Sequence, residues 1–193
     1  MPLIIESLLT TADAEGGVNV APMGVEWGET EIVIKPFVDT TTFRNLSSTG
    51  AAVVNLTDDV LLFAQAVTGD PAVLNARTAP AAKIRGVILD AALAWREVEV
   101  VSIDATPPRS RIVTRVVHRG QRGEFPGINR ARHAVLEAAI LATRTHLIPP
   151  AELAADLARL QLIVDKTAGP REVAAMAQVR DFIAARLQGN PAR

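Results

Sequence analysis

Two runs of β-branched and aliphatic residues, Glu31-Ile-Val-Ile-Lys35 and Ala51-Ala-Val-Val-Asn-Leu56, flank the stretch Lys35-Pro-Phe-Val-Asp-Thr-Thr-Thr-Phe-Arg-Asn-Leu46. Their composition predicts two strands, and the chain between them has room only for a turn and a short helix over Phe43–Thr49. Thr42 is placed to cap that helix, and Gly50 supplies the left-handed residue that closes it. Three consecutive hydroxyls and Arg44 therefore gather where a helix leaves N–H groups unpaired and carries the positive end of its dipole. That is chemistry for an anion, most simply a phosphate. A polar loop with an ordinary capping threonine has the same composition, so the stretch alone leaves both readings open.

The residues before it predict a meander. Leu3–Thr11 and Val18–Gly24 read as strands around the turn Asp13-Ala-Glu-Gly-Gly17, and Trp27-Gly-Glu-Thr30 turns the chain into the strand at Glu31. Strands joined by such short connections form antiparallel sheet of the kind that closes into a small barrel. Pro22 has no N–H for a ladder and belongs at an edge or a bulge, which frees the backbone of Ala21–Gly24 to meet something other than a strand. Further on, Leu61–Val67 reads as a short helix and Asp70–Pro80 as a loop. Glu97–Ile103 and Arg111–His118 read as strands parted by the Thr106-Pro-Pro-Arg109 turn.

From Asn129 the character changes to helix. Arg130–Arg144 has no glycine or proline and is mostly alanine and aliphatics. At about 100° per residue, Arg130, His133, Glu137 and Arg144 fall in one narrow charged stripe of an otherwise apolar helix, which predicts a buried helix with paired charges. The stripe is either a salt-bridged seam, within the chain or between two copies, or the wall of a pocket. Helices over Ala151–Val164 and Arg171–Leu187 follow, the second opened by Pro170, with Asp165–Gly169 as the link.

Balanced charge, net −1 over 193 residues, removes any whole-molecule field that would attract nucleic acid or an acidic membrane. Between Arg109 and Arg132 arginines far outnumber acids, but only Phe125 interleaves with them, so base stacking has little to work with; Arg111 and Arg115 are expected to alternate outward from a strand. With no cysteine, thiolate chemistry and cysteine-ligated metals are excluded. His118, His133 and His146 fall on different elements or faces and no hydrolase motif occurs, so no metal is expected. No apolar run approaches the roughly 18 residues of a membrane span, and Met1–Thr10 lacks a basic leader; a cytoplasmic protein without membrane or nucleic-acid partners is the expectation.

Ala21-Pro-Met-Gly24, Thr41-Thr-Phe-Arg-Asn-Leu46 and Gly50–Asp59 together resemble the split-barrel flavoproteins related to flavin reductases and pyridoxamine oxidases. More narrowly, Asn129–Arg144 with Val164-Asp-Lys-Thr-Ala-Gly169 resembles the DUF447 family, whose members occur in methanogenic archaea and in bacteria with methanopterin-linked one-carbon chemistry. The resemblance runs from about residue 3 to about 187 and is weakest between 65 and 95. It implies an α+β fold: an antiparallel split β-barrel that binds FMN, residues 1–124, followed by a helical subdomain, residues 125–193, in a homodimer.

Carried over residue by residue, the resemblance puts Thr41, Thr42 and Arg44 on the FMN phosphate. Thr40 and Asn45 lie in the same loop, Ala21, Pro22, Met23 and Gly24 present backbone to the ring, and Asn55 lies on the strand that follows. Met23, Pro22, Trp27 and Phe37 are candidates for an apolar wall against that ring. His133 and Glu137 are the candidates for proton exchange, and Arg130 and Arg144 for anchoring a substrate. The expected function is an FMN-dependent oxidoreductase acting on a small molecule, with a link to methanopterin or one-carbon metabolism. The alternatives are an FMN-binding accessory without turnover and a dimeric assembly protein whose α-helical stripe is structural.

Overall fold

The computed structural model describes residues 1–73 and 76–189. The chain forms two compact units, Met1–Thr57 with Leu74–Phe125, and Asp58–Val73 with Pro126–Arg193. The first is a closed six-stranded antiparallel barrel in the order β1 (Ile4–Ala12), β2 (Val18–Trp27), β3 (Glu31–Ile34), β8 (Arg111–Gln121), β7 (Ala94–Asp104) and β4 (Ala51–Leu56). Its interior is filled by Leu9, Val25, Ile32, Ile34, Ala52, Val54, Val98 and Ile112 from strands, and by Leu46 from the helix α1 (Thr41–Thr49).

Period-2 alternation explains which residues line that interior, but β4 is buried on both faces. Ala52 and Val54 turn into the barrel, while Val53 packs outward with Ile88 and Ala92 beneath a two-stranded hairpin, β5 (Thr78–Pro80) and β6 (Val87–Leu89). The sequence predicts a loop at Thr78–Pro80, because strands this short carry no readable alternation. Buried side chains of the barrel hold them instead. Asn55 donates through Nδ2 to the Leu8 carbonyl at 2.9 Å and accepts from the Leu89 amide at 2.9 Å. The Glu97 carboxylate, completely buried, accepts from the amides of Ala82 at 2.8 Å and Lys83 at 2.6 Å.

The second unit packs α2 (Val60–Thr68) with α3 (Arg130–Ala142), α4 (Pro150–Thr167) and α5 (Pro170–Leu187). α4 runs to Thr167, further than the predicted link at Asp165 allowed, so that only Ala168 and Gly169 join it to α5. Ala131, Ala134, Ala138, Ala139 and Ala142 form the buried side of α3, where their single methyl groups let neighbouring helices approach closely. Arg130, His133, Glu137 and Arg144 are not on that side. His133 and Glu137 leave 68% and 47% of their side chains exposed, and their closest approach of 3.9 Å is too long for a hydrogen bond. The alanines are buried as the composition predicts, but the charged stripe faces water, where Arg, His and Glu side chains stay solvated.

Arg132, outside the stripe, is the arginine of α3 with carboxylate partners. It donates through Nε to Glu172 at 2.9 Å and pairs with Asp58 at the start of α2. Glu172 also accepts from the Gly169 amide at 3.0 Å, the reciprocal half of a capping box that opens α5. Hydrogen bonds from Arg132 hold the Glu172 carboxyl below the usual carboxylate range. A depressed carboxylate contributes stability that is present above its unfolded value, near 4.5, and lost as pH falls through its folded one. Glu172→Gln is therefore expected to lower stability by about 1–2 kcal/mol at neutral pH and to flatten the acid limb of a melting-temperature profile below pH 4.5. An acid limb identical in wild type and variant would count against this assignment.

Candidate functional site

α1 closes one end of the barrel. Leu46 is completely buried there and Phe43 packs beside it, an anchoring that costs about 2–5 kcal/mol to remove at a leucine. At the opposite end the Arg96 guanidinium lies over Trp27, 5.2 Å from the ring centroid. Trp27 and Met23 both pack against the barrel core, so neither offers its side chain as an outer wall.

The helix starts earlier than its sequence predicts. Thr40, not Thr42, is the N-cap: its backbone is extended, its Oγ1 accepts from the Phe43 amide at 3.3 Å, and the same hydroxyl donates to the Phe37 carbonyl at 2.7 Å. Gly50 ends α1 in the left-handed conformation at φ 69°, as expected, and its amide returns to the Leu46 carbonyl. Thr42 is buried and accepts from Asn19 Nδ2 on β2 at 3.1 Å. Asn45 is buried as well and donates to Thr11 Oγ1 on β1 at 3.1 Å. These two side chains fasten α1 to the barrel.

Thr41 and Arg44 face solvent. Arg44 folds back over the helix start, donating from Nη1 to the Asp39 carbonyl at 2.8 Å and from Nη2 to Thr41 Oγ1 at 2.8 Å. Among the described residues no carboxylate pairs with Arg44. The first amides of a helix have no acceptor within it, and here the cap meets that of Phe43 alone, so the amides of Thr41 and Thr42 stand beside a hydroxyl and an unneutralised guanidinium. Such a set suits an oxyanion.

β2 supplies the adjoining surface. It pairs with β1 from end to end but with β3 only through Glu26 and Trp27, so its outer edge from Val18 to Val25 has no strand beside it. Pro22 sits on that open edge, as its missing N–H requires. At Gly24 a Cβ would lie 2.8 Å from Glu6 Oε1 and 3.1 Å from Ile4 Cγ2, so a side chain there would have to displace its neighbours on β1. Ala21–Gly24 are half-buried, and the Asn19–Thr42 bond sets this edge against the first turn of α1. A flat group placed along the edge would therefore have its charged tail at Thr41 and Arg44.

Asn55 is not available to such a ligand, since its amide is spent on Leu8, Thr10 and Leu89. Arg130, His133 and Glu137 lie on α3 and Arg144 lies just past its C-cap Thr143, all in the helical unit. Arg111 and Arg115 are exposed on β8, the outward alternation their spacing predicts. Sequence reasoning missed Asn19, whose partner lies 23 residues away, and the approach of Arg109 to Phe37, which brings a guanidinium within 4.0 Å of a ring centroid. No local pattern signals either contact. Among the described residues no group of three or more histidines and acids is arranged to hold a metal, and no helix is long and apolar enough to cross a membrane.

Solved structures share this architecture. An FMN-bound DUF447 protein from Methanosarcina mazei superposes with a TM-score of 0.78 at 22% identity, covering 94% of this chain and 96% of its own. The 2-nitrobenzoate 2-nitroreductase of Pseudomonas fluorescens follows at 0.55 and 20% identity, over 63% of this chain and 66% of its own. A protein with a split barrel domain from Shewanella frigidimarina reaches 0.53 at 14%, over 61% and 66%. The barrel with its incompletely paired β2 is thus a split barrel. Residues 5–123 match the model of the N-terminal domain of a protein of unknown function, DUF447, and residues 129–181 match the DUF447 model that follows it. The chain belongs to the DUF447 family.

Proposed function

We propose that this protein is a flavoprotein that binds FMN, with the phosphate at the first turn of α1 and the ring along the open edge of β2. One observation carries the reading: an exposed helix start holds Thr41 and Arg44 together with no carboxylate to neutralise them, beside a strand edge left unpaired. FMN has a phosphate that needs amides, a hydroxyl and a cation, and a flat ring that needs a bare backbone edge. The likeness over nearly the whole chain to a family member that carries FMN supports it.

Bound there, the flavin would supply the redox chemistry. The protein's part is orientation. Arg44 and the helix amides fix the tail, and Asn19 with Thr42 fixes the angle between α1 and β2 on which the position of the ring depends. A small-molecule oxidoreductase is the reaction class we infer, supported by the fold shared with a 2-nitrobenzoate 2-nitroreductase and by the edge of β2 left unpaired. The same proposal takes the protein as a homodimer. Val18, Val101 and Ile103 are apolar and exposed on the barrel, which suits an interface between copies.

Purified protein titrated with FMN tests this directly. Arg44→Ala and Thr41→Val are each expected to lose about 1.5–3 kcal/mol of affinity, the worth of a hydrogen bond to a charged group. Equal affinity in both variants and the wild type would remove the phosphate from α1. Thr42→Val should instead cost about 1 kcal/mol of folding stability in denaturant, because it takes the acceptor from Asn19. Anaerobic bleaching of the bound flavin by NADH or NADPH identifies an oxidoreductase, whereas a flavin inert to both argues for the accessory role. Sedimentation equilibrium should return twice the 20.5 kDa chain mass, and a monomer would exclude the dimer.

A further inference from the structure

Arg109 lies flat on Phe37 at the edge of the proposed phosphate cradle. Its guanidinium carbon is 4.0 Å from the ring centroid, and Nη1 donates to the Lys35 carbonyl at 3.0 Å. The surrounding backbone holds this pair in place: Phe37 and Arg109 form an isolated antiparallel bridge, and Ser110 bonds the Pro36 carbonyl through its amide at 2.9 Å and its hydroxyl at 3.0 Å. Phe37 is in turn joined to the helix start, since its carbonyl accepts from both the amide and the hydroxyl of Thr40. The platform therefore stands within a turn of the amides that meet the phosphate.

Two properties set it apart from a surface arginine in general. Arg109 has no carboxylate partner among the described residues, so its charge is unneutralised and its remaining N–H donors are open. Phe37 is 43% exposed, a large aromatic surface left in water beside a polar site. A guanidinium held on a ring is preorganised for a phosphate at its edge and for a planar base on its outer face. Arg44, Thr41 and the helix amides already offer the FMN phosphate a cation, a hydroxyl and N–H donors, and Arg109 adds a second cation anchored separately, on Phe37 and the Lys35 carbonyl.

We propose that Arg109, supported by Phe37, binds the adenosine diphosphate part of a nucleotide next to the flavin site. The inference rests on the flavin reading above. That part could belong to FAD, as the extension of the flavin itself, or to a separate nicotinamide nucleotide; the chemistry at Arg109 is the same.

Calorimetric titration of ADP into FMN-loaded protein tests it, with FMN and FAD titrated separately into the flavin-free protein. Wild type is expected to bind ADP without releasing FMN, Arg109→Ala to weaken ADP at least about tenfold, and Arg109→Lys, which keeps charge without the plane, to fall between; FMN affinity stays within about twofold throughout. If FAD binds tighter than FMN and Arg109→Ala cancels the difference, the group is the flavin's own extension. If FAD and FMN bind alike, the ADP site serves a separate nucleotide. The proposal is overturned if wild type does not bind ADP, if Arg109→Ala binds it as well as wild type, or if ADP displaces FMN. Failure of FMN to bind, with ADP binding to the flavin-free protein still dependent on Arg109, would sink the flavin reading and leave this site standing.

Discussion

Thr11, Asn19, Thr42 and Asn45 hydrogen-bond to one another where α1 meets the ends of β1 and β2. Each is a polar group largely removed from water, and each would be costly there without the others. The seam leaves α1 one way to sit: Leu46 inside the barrel, Thr41 and Arg44 outside it. If the helix turned by one residue, Thr42 would leave Asn19 and Asn45 would leave Thr11. The orientation of the turn proposed to bind the anion is thus decided by Thr42 and Asn45 through their bonds to the barrel.

The barrel contributes by what it leaves incomplete. β3 is only four residues long, so β2 outlasts it, and the chain leaves β3 for the turn that starts α1. The missing partner and the helix start arise from one event, the early end of a strand. Backbone donors and acceptors on an open strand edge and amides at a helix start are joined through the Asn19–Thr42 bond. Such a scaffold suits a cofactor that brings its own reactivity.

How much of this was legible in the sequence follows from the range of the interactions. Strands with alternating patterns, the glycine that ends α1 and the proline on an unpaired edge were readable because each is fixed by its own few residues. Thr40 and Thr42 could not be told apart, since consecutive threonines have equal capping chemistry and Asn19 decides between them from another strand. The charged stripe on α3 is not buried, because a helix whose alanines pack inward turns its charged side to water. The helix buries its alanines and turns His133 and Glu137 to solvent, while Arg132 finds its carboxylates on α2's approach and on α5. The hairpin β5–β6 escaped because its anchors, Asn55 and Glu97, belong to other segments.

That last arrangement bears on how such a chain can diverge. The β5–β6 segment is held to the barrel largely through its own main-chain amides, at Ala82, Lys83 and Leu89, while the specific side chains, Asn55 and Glu97, are on the barrel strands. A main-chain amide is supplied by any residue except proline. The exposed positions of the segment are therefore free to change their letters while its course is preserved, whereas its buried Ile88 and Leu89 and the two polar residues beneath it are not. Substitutions would accumulate on the covering and be refused by what it covers, which makes Asn55 and Glu97 look like functional residues to any survey of variation although neither is open to a ligand.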